Sequence, residues 1–224
     1  MKTLVINPVG TTKWDESDKR IYQSFASPET EIDVISLVEG PESLETEEAK
    51  NEAIPRIVNR ALKLHERYDG LIVNCCLDPG VDKIRSLIKT PIMGPFQASL
   101  AIASVIGRKA GVITVSRAAS MLKELVLKYE MENRVGSMRG IDISVPQIEV
   151  NKEHTLGLLK KEIYEEIREG ADVVVLGCTS LSGFVENLKE EIEIPVVNPV
   201  AAAIKLLEDI IQLRLSTGDK NARP

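Results

Sequence analysis

Two stretches decide the reading: DGLIVNCCLDPGVDKIRSLIKTPIMGPFQASLA at residues 69–101 and DVVVLGCTSLSGFVENLKEEIEIPVVNPVAAAIK at residues 172–205. Each runs as Asp, a buried strand, Cys, a turn, a helix, Pro, a short strand, a second Pro and the start of an Ala-rich helix. Asp69 matches Asp172 and Cys75 matches Cys178 at an offset of 103 (172 − 69, 178 − 75). Pro91 matches Pro195 and Pro95 matches Pro199 at 104 (195 − 91, 199 − 95), a drift that one loop residue accounts for. Any two βαβ units share strands and helices. A cysteine at the same strand end in both copies, in a chain with three cysteines, goes beyond that general likeness.

Outward from the repeat, apolar and β-branched runs alternate with helical patterns along the whole chain. Strands are expected at residues 3–7, 31–37, 70–74, 92–94, 110–115, 141–145, 172–176 and 196–198. Helical rhythm occupies residues 47–66, 120–132, 154–170 and 201–214. Strands alternating with helices predict an α/β protein with parallel sheets covered on both faces. With the repeat, the expectation is two similar parallel-sheet α/β lobes related by pseudo-two-fold symmetry, with an active site in the cleft between them. Residues 1–95 plus 200–224 would form one lobe and residues 96–199 the other. Each lobe then offers a thiol from a strand C-terminus, where open α/β sheets place their ligands. The polar end, residues 216–224, is expected to fray.

The bulk numbers narrow the function classes. A chain of 224 residues, 43% hydrophobic, has the apolar content to bury a proper core. A net charge of −6 argues against a nucleic-acid surface, which normally carries a basic excess. No apolar run approaches the length of a membrane span. MKTLVINPVG reads as a first buried strand and not as a signal peptide, so a cytoplasmic protein is expected. An odd number of cysteines fits reduced thiols better than a disulfide framework. His65 and His154 lie in charged helical segments, expected at the surface, and show no metal-ligand spacing. Without a Cys-x-x-Cys pair no metal site is expected.

Two thiols at matching strand ends suggest proton transfer. Racemisation removes a proton from one face of a carbon and returns one to the other, and a thiolate–thiol pair can run it in both directions. A free thiol, with a pKa of about 8.5, becomes more acidic at a helix N-terminus. Asp78 is a plausible N-cap after Cys75, with Pro79 as first helical residue and Gly80 beside it. Ser182 is a plausible cap after Cys178. The backbone N–H groups at these places suit a carboxylate or imide oxygen, although Asp78-Pro79-Gly80 also reads as an ordinary turn. Strand alternation points Cys76 away from Cys75, as a small buried hydrophobe or a lining residue. Residues 107–111 read as a turn into a strand, and residues 189–193 as a solvated helix end. Trp14 sits in a polar loop, as a lid contact or an ordinary partly exposed aromatic.

These residues resemble the aspartate/glutamate/hydantoin racemase superfamily, and within it the hydantoin racemase branch. LVINPV, GPESLE at residues 40–45, CCLDPG, VLGCTSL and PVVNPVAAAIKLLE are each similar to a segment of that branch, in the same order, across nearly the whole chain. The resemblance implies catalytic roles for Cys75 and Cys178. It implies substrate contacts from Asn7, from Cys76, Asp78, Pro79 and Gly80, from Phe96 in the turn at residues 94–96, from Thr114 and Ser116, and from Thr179. It also implies a small-molecule substrate held between two lobes, no metal or pyridoxal cofactor, and homo-oligomers. Three departures stand out: Gln97 where relatives often carry Glu, Cys76 where hydantoin racemases often carry an aromatic residue, and Asn198 where Asp is common.

The leading expectation is a cofactor-independent racemase of a 5-substituted hydantoin or an allantoin-like ring. The rival is an aspartate or glutamate racemase or related isomerase. The Asp near the N-terminal strand end and the His after the second Cys that mark glutamate racemases are missing, with Asn7 and Ser180 near those places, which favours a neutral ring over a zwitterion. A different class, a redox or ligand-binding module whose thiols form a disulfide, would need their Cα atoms within about 7 Å.

Overall fold

The computed structural model describes residues 1–215, and the expectation for residues 216–224 lies outside them. The chain divides into two compact units: Met1–Pro95 with the stretch from Ala203 onward, and Phe96–Ala202.

In the first unit β1 (Lys2–Asn7), α1 (Asp15–Phe25), β2 (Glu31–Ser36), α2 (Glu47–Leu64), β3 (Gly70–Val73), α3 (Val81–Arg85) and β4 (Ile92–Met93) follow in order. Then come α4 (Pro95–Ile106), β5 (Ala110–Val115), α5 (Ala119–Lys128), β6 (Val135–Ile141), α6 (Lys152–Arg168), β7 (Val173–Leu176), α7 (Val185–Lys189), β8 (Val196–Val197) and α8 (Pro199–Gln212). The sheets are parallel, in the orders β2-β1-β3-β4 and β6-β5-β7-β8. One order is the other with every number raised by four, so the repeat read from residues 69–101 and 172–205 extends to whole units.

The central strands show why the sequence was readable. Every residue of β3, β5 and β7 is buried, as is β1 beyond Lys2. Parallel strands covered on both faces need continuous apolar runs, which GLIV, AGVITV and VVVL supply. The first position of each repeat is architectural. Asp69 accepts from the Lys2 N–H (2.7 Å), and its own N–H donates to the Lys2 carbonyl. Asp172 does the same at the head of β5, accepting from the N–H groups of Arg108 and Lys109 and donating to the Lys109 carbonyl. Those backbone donors hold the Asp172 carboxyl below the usual carboxylate range.

The strand expected at residues 141–145 is β6, Val135–Ile141. It is an edge strand, and most of its residues are only half-buried, so the apolar run that marks a central strand is missing. Arg139 lies on it and faces α6, pairing with Glu162 and Glu166 at 3.5 and 3.2 Å and with Glu169. Glu166 is fully buried and also accepts from Ser137. Burial raises its pKa, and Ser137 and Arg139 oppose that rise. Gly111 makes room for it: a Cβ there would stand 2.5 Å from the Glu166 carboxylate. Helix α1 is not among the helices expected from the sequence: its residues are mostly polar or charged, and Tyr22 is the one that is buried.

Helix α8 closes the first unit. Gly70 lets Leu207 and Ile211 approach β3, where a Cβ would meet them at 2.8–3.0 Å. One turn along, Glu208 is 2% exposed and takes Thr30 Oγ1 (2.5 Å), the Ser27 N–H and Oγ (both 2.8 Å) and Lys205 Nζ (2.9 Å). Burial alone would push this carboxyl up; the bonds from Thr30, Ser27 and Lys205 outweigh it and hold it below the usual range. A depressed carboxyl stabilises the fold above its unfolded value, about 4.3, and that contribution is lost as pH falls through the folded value. Glu208→Gln is therefore expected to cost about 1–3 kcal/mol at pH 7, measured by urea unfolding. The gap to the natural chain should narrow as pH falls below about 4.3 and close only once pH has passed through the folded value.

Candidate active site

Each unit ends its third strand in the same way. The N–H of Asn74 donates to the Ile6 carbonyl (2.9 Å), and the N–H of Gly177 to the Ile113 carbonyl (2.7 Å). Both bonds run to the central strand of the unit, and the next residue in each case is a cysteine, Cys75 or Cys178. Both side chains are partly exposed, and the three cysteines of the chain are thiols. Cys76, the neighbour of Cys75, is 2% exposed; it lies in the turn beyond β3, where Leu77, Asp78 and Pro79 are buried as well, so its burial comes from the turn and not from strand alternation.

After Cys75 the chain turns tightly. The Cys75 N–H bonds the Val73 carbonyl and the Asp78 N–H bonds the Cys75 carbonyl. Asp78 (φ 45°) and Gly80 (φ 74°) both take left-handed conformations. Glycine accepts this freely and aspartate is among the few other residues that tolerate it. The N-cap of α3 is therefore Gly80 and not Asp78, and no side chain caps that helix. Asp78, 6% exposed, instead lays its carboxylate against Gly94, the residue before α4, where a Cβ would stand 2.4 Å from the carboxylate carbon. The matching residue in the second unit, Asn198, caps its own helix: its Oδ1 accepts from the N–H groups of Val200 and Ala201 at the start of α8.

Cys178 opens a 3-10 helix, Thr179–Phe184, and its carbonyl accepts from the Leu181 N–H. The residue preceding α7 is Phe184, so the expected cap Ser182 is not one. It lies inside the 3-10 helix, and its buried hydroxyl has no hydrogen-bond partner among the described residues. Thr114, fully buried at the end of β5, donates to the Gly177 carbonyl (2.9 Å).

The remaining expected contacts differ in exposure. Pro79 and Phe96 are buried, Gly80 and Thr179 half-buried. Ser116 is exposed at the start of a 3-10 turn, Ser116–Ala118, after β5. Asn7 is 2% exposed, with both ends of its amide engaged inside the protein: Nδ2 donates to Asp15 Oδ1 and Oδ1 accepts from Asn74 Nδ2, both at 2.8 Å. Tyr22 donates to Asn74 Oδ1 (2.9 Å) and Ser36 to Asp15 Oδ1 (2.6 Å). Sequence reasoning missed Asp15, Tyr22 and Asn74; the one available signal was a polar Asn ending an otherwise apolar strand. The Tyr22 hydroxyl is raised well above its ordinary value by burial, then by Asp18 and by its neighbours Cys76, Asp78 and Cys75.

Of the two histidines, His154 is exposed as expected, while His65 is half-buried with Nδ1 3.1 Å from Thr90 Oγ1. Trp14 is half-buried and immediately precedes α1. Among the described residues no group of three or more His, Cys, Asp or Glu side chains is placed to hold a metal ion. None of their helices is long and apolar enough to cross a membrane.

Two parallel α/β units of one strand order, each ending its third strand on a partly exposed thiol, define a class of repeated α/β protein. The chain belongs to the Asp/Glu/Hydantoin racemase family, whose model matches residues 4–207, and it is a racemase, an enzyme acting on a small molecule. It is 30% identical over 220 residues to a hydantoin racemase of Pseudomonas sp. (strain NS671), covering 97% of this chain and 88% of that one. Its fold matches the crystal structure of an allantoin racemase from Pseudomonas fluorescens with a TM-score of 0.94 at 24% identity, covering 100% and 97% of the two chains. A glutamate racemase from Francisella tularensis matches with a TM-score of 0.70 at 15% identity, covering 98% and 84%.

The close approach at Gly94 gives a direct test of the Asp78 arrangement. Gly94→Ala is expected to force the Asp78 carboxylate aside and to cost about 1–3 kcal/mol. Chemical denaturation would measure the loss, and faster alkylation of Cys75 should accompany it.

Proposed function

We propose that this racemase acts on 5-substituted hydantoins or a close ring relative such as allantoin, with Cys75 and Cys178 as its two bases. The observation that carries the reading is the pair of partly exposed thiols at equivalent strand ends. The hydantoin racemase relative, similar along nearly the whole chain, supports the ring as substrate.

In this reading one cysteine enters as thiolate and the other as thiol. The thiolate takes the proton from the ring stereocentre, and the electron pair moves onto the adjacent ring carbonyl as an enolate. The thiol on the opposite face gives its proton to the carbon and the carbonyl re-forms. The product is the mirror image, and the thiols have exchanged protonation states, ready for the reverse reaction. Backbone N–H groups beyond each cysteine serve the developing oxyanion, which is most strongly stabilised by donors already in place. Asp78, Pro79, Gly80, Phe96, Thr114, Ser116 and Thr179 shape the surroundings of the two thiols. A neutral ring suits this setting better than a zwitterion, because the Asn7 amide is committed internally.

The test is incubation of each enantiomer of several 5-substituted hydantoins in deuterated buffer, followed by polarimetry and NMR, with L- and D-aspartate and glutamate in parallel. The expected outcome is loss of rotation with deuterium entering the stereocentre. Cys75→Ser and Cys178→Ser should each reduce racemisation by about 10²- to 10⁴-fold. Turnover of the amino acids alone would overturn the hydantoin reading, and full activity in either variant would overturn the two-base mechanism.

A further inference from the structure

The residues that precede the two thiols differ. Asn74 and Gly177 occupy the same place, each tied by its N–H to the central strand. Gly177 has no side chain to offer, and a Cβ there would strike Leu122 at 2.7 Å and Thr114 at 3.1 Å. Asn74 has a side chain bonded at both ends and is 9% exposed. It is the middle of a buried chain: Tyr22 hydroxyl to Asn74 Oδ1, Asn74 Nδ2 to Asn7 Oδ1, Asn7 Nδ2 to Asp15 Oδ1.

The chemistry of the last member fixes the direction of the rest. A carboxylate only accepts, so Asn7 must turn its NH2 to Asp15 and its carbonyl to Asn74. Asn74 must then turn its NH2 to Asn7, which leaves its own carbonyl for a donor. The Tyr22 hydroxyl is that donor. Ser36 donates to the same Asp15 oxygen and holds the carboxylate in place. Flipping either amide sets donor against donor and acceptor against acceptor in a buried setting, where unmatched polar groups are costly. Asn74 is thus fixed by its N–H and by both ends of its side chain, one peptide before the thiol.

Resting on the racemase reading above, we propose that Tyr22, Asn74, Asn7 and Asp15 form a one-way hydrogen-bond chain that positions Cys75, with Asn74 as the positioning residue. Asn7 belongs to this chain and not to the substrate-contacting set. Cys178 is placed by other means, a glycine packed against Thr114 and Leu122, so the two thiols meet the substrate with unequal rigidity. The consequence is kinetic. A racemisation has an equilibrium constant of one, so any variant lowers kcat/KM equally for the two enantiomers. Loosening one thiol alone shows in kcat and KM separately, with opposite bias for the two enantiomers, and in isotope exchange.

The decisive variant is Tyr22→Phe, which keeps the ring in the core and removes the donor. Asn74→Ala and Asp15→Asn accompany it, and Thr114→Val is the reciprocal control on the other thiol. Alkylation by iodoacetamide in the full-length protein, followed thiol by thiol by peptide mass spectrometry across pH, needs no substrate. Tyr22→Phe and Asn74→Ala are expected to change the Cys75 rate by about fivefold and leave Cys178 within about twofold. Thr114→Val should do the reverse. Deuterium wash-in with each hydantoin enantiomer should slow unequally in the Cys75-side variants. Rates at both cysteines moving together, or neither moving while the melting temperature falls, would overturn the proposal. If the natural chain exchanges no hydantoin proton, the substrate reading fails by itself, and the alkylation ratio still decides the chain.

Discussion

The backbone hydrogen bond beyond the third strand in each unit, Asn74 to Ile6 and Gly177 to Ile113, fixes where each thiol stands. Up to that bond the chain is confined within the sheet and buried on both faces. One residue further the chain turns away from the strand direction, and the side chain there is a thiol. A helix could not give this sharp boundary, because its side chains turn gradually through every direction. The parallel sheet makes the thiol's position a property of the core, and the core is built from the least ambiguous residues of the sequence.

That is why so much of the fold was legible. Residues 110–115 were read as a strand and form β5. The other central strands and the helices at 47–66 and 154–170 lie within a few residues of their expected ends. The failures have a shared cause. The edge strand β6 and the helix α1 bury little: β6 lacks a continuous apolar run, and α1 is built mostly from polar and charged residues. The capping role expected of Asp78 failed differently. The Asp-Pro-Gly signature does mark a turn, but the left-handed backbone at Asp78 aims the carboxylate at Gly94, and a local motif contains no information about residues sixteen positions away. The Tyr22–Asn74–Asn7–Asp15 chain was hidden for the same reason. It joins residues from α1, β1 and the end of β3, and only folding makes them neighbours.

The two units preserve their shared frame through acidic residues at its base and diverge above it. Asp69 and Asp172 perform one task at the head of β1 and β5, exchanging bonds with the backbone of Lys2 and of Lys109, to which Asp172 adds the Arg108 N–H. At the opposite strand ends the units use different devices: Asn198 caps its own helix, whereas Gly94 leaves that place to Asp78. A repeated fold can keep its scaffold constant and differentiate its two working ends, because strand pairing constrains the first far more than the second.

The closure of β3 by α8 carries a consequence for how the chain is made. The second unit, Phe96–Ala202, is one continuous stretch, whereas the first waits for Leu207, Glu208 and Ile211 before β3 and the Ser27–Thr30 turn are covered. Synthesis proceeds from the N-terminus and domains fold as units. The part of the protein that leaves the ribosome first is therefore the part completed last. Until then β3 lacks the helix whose Leu207 and Ile211 pack against it at Gly70.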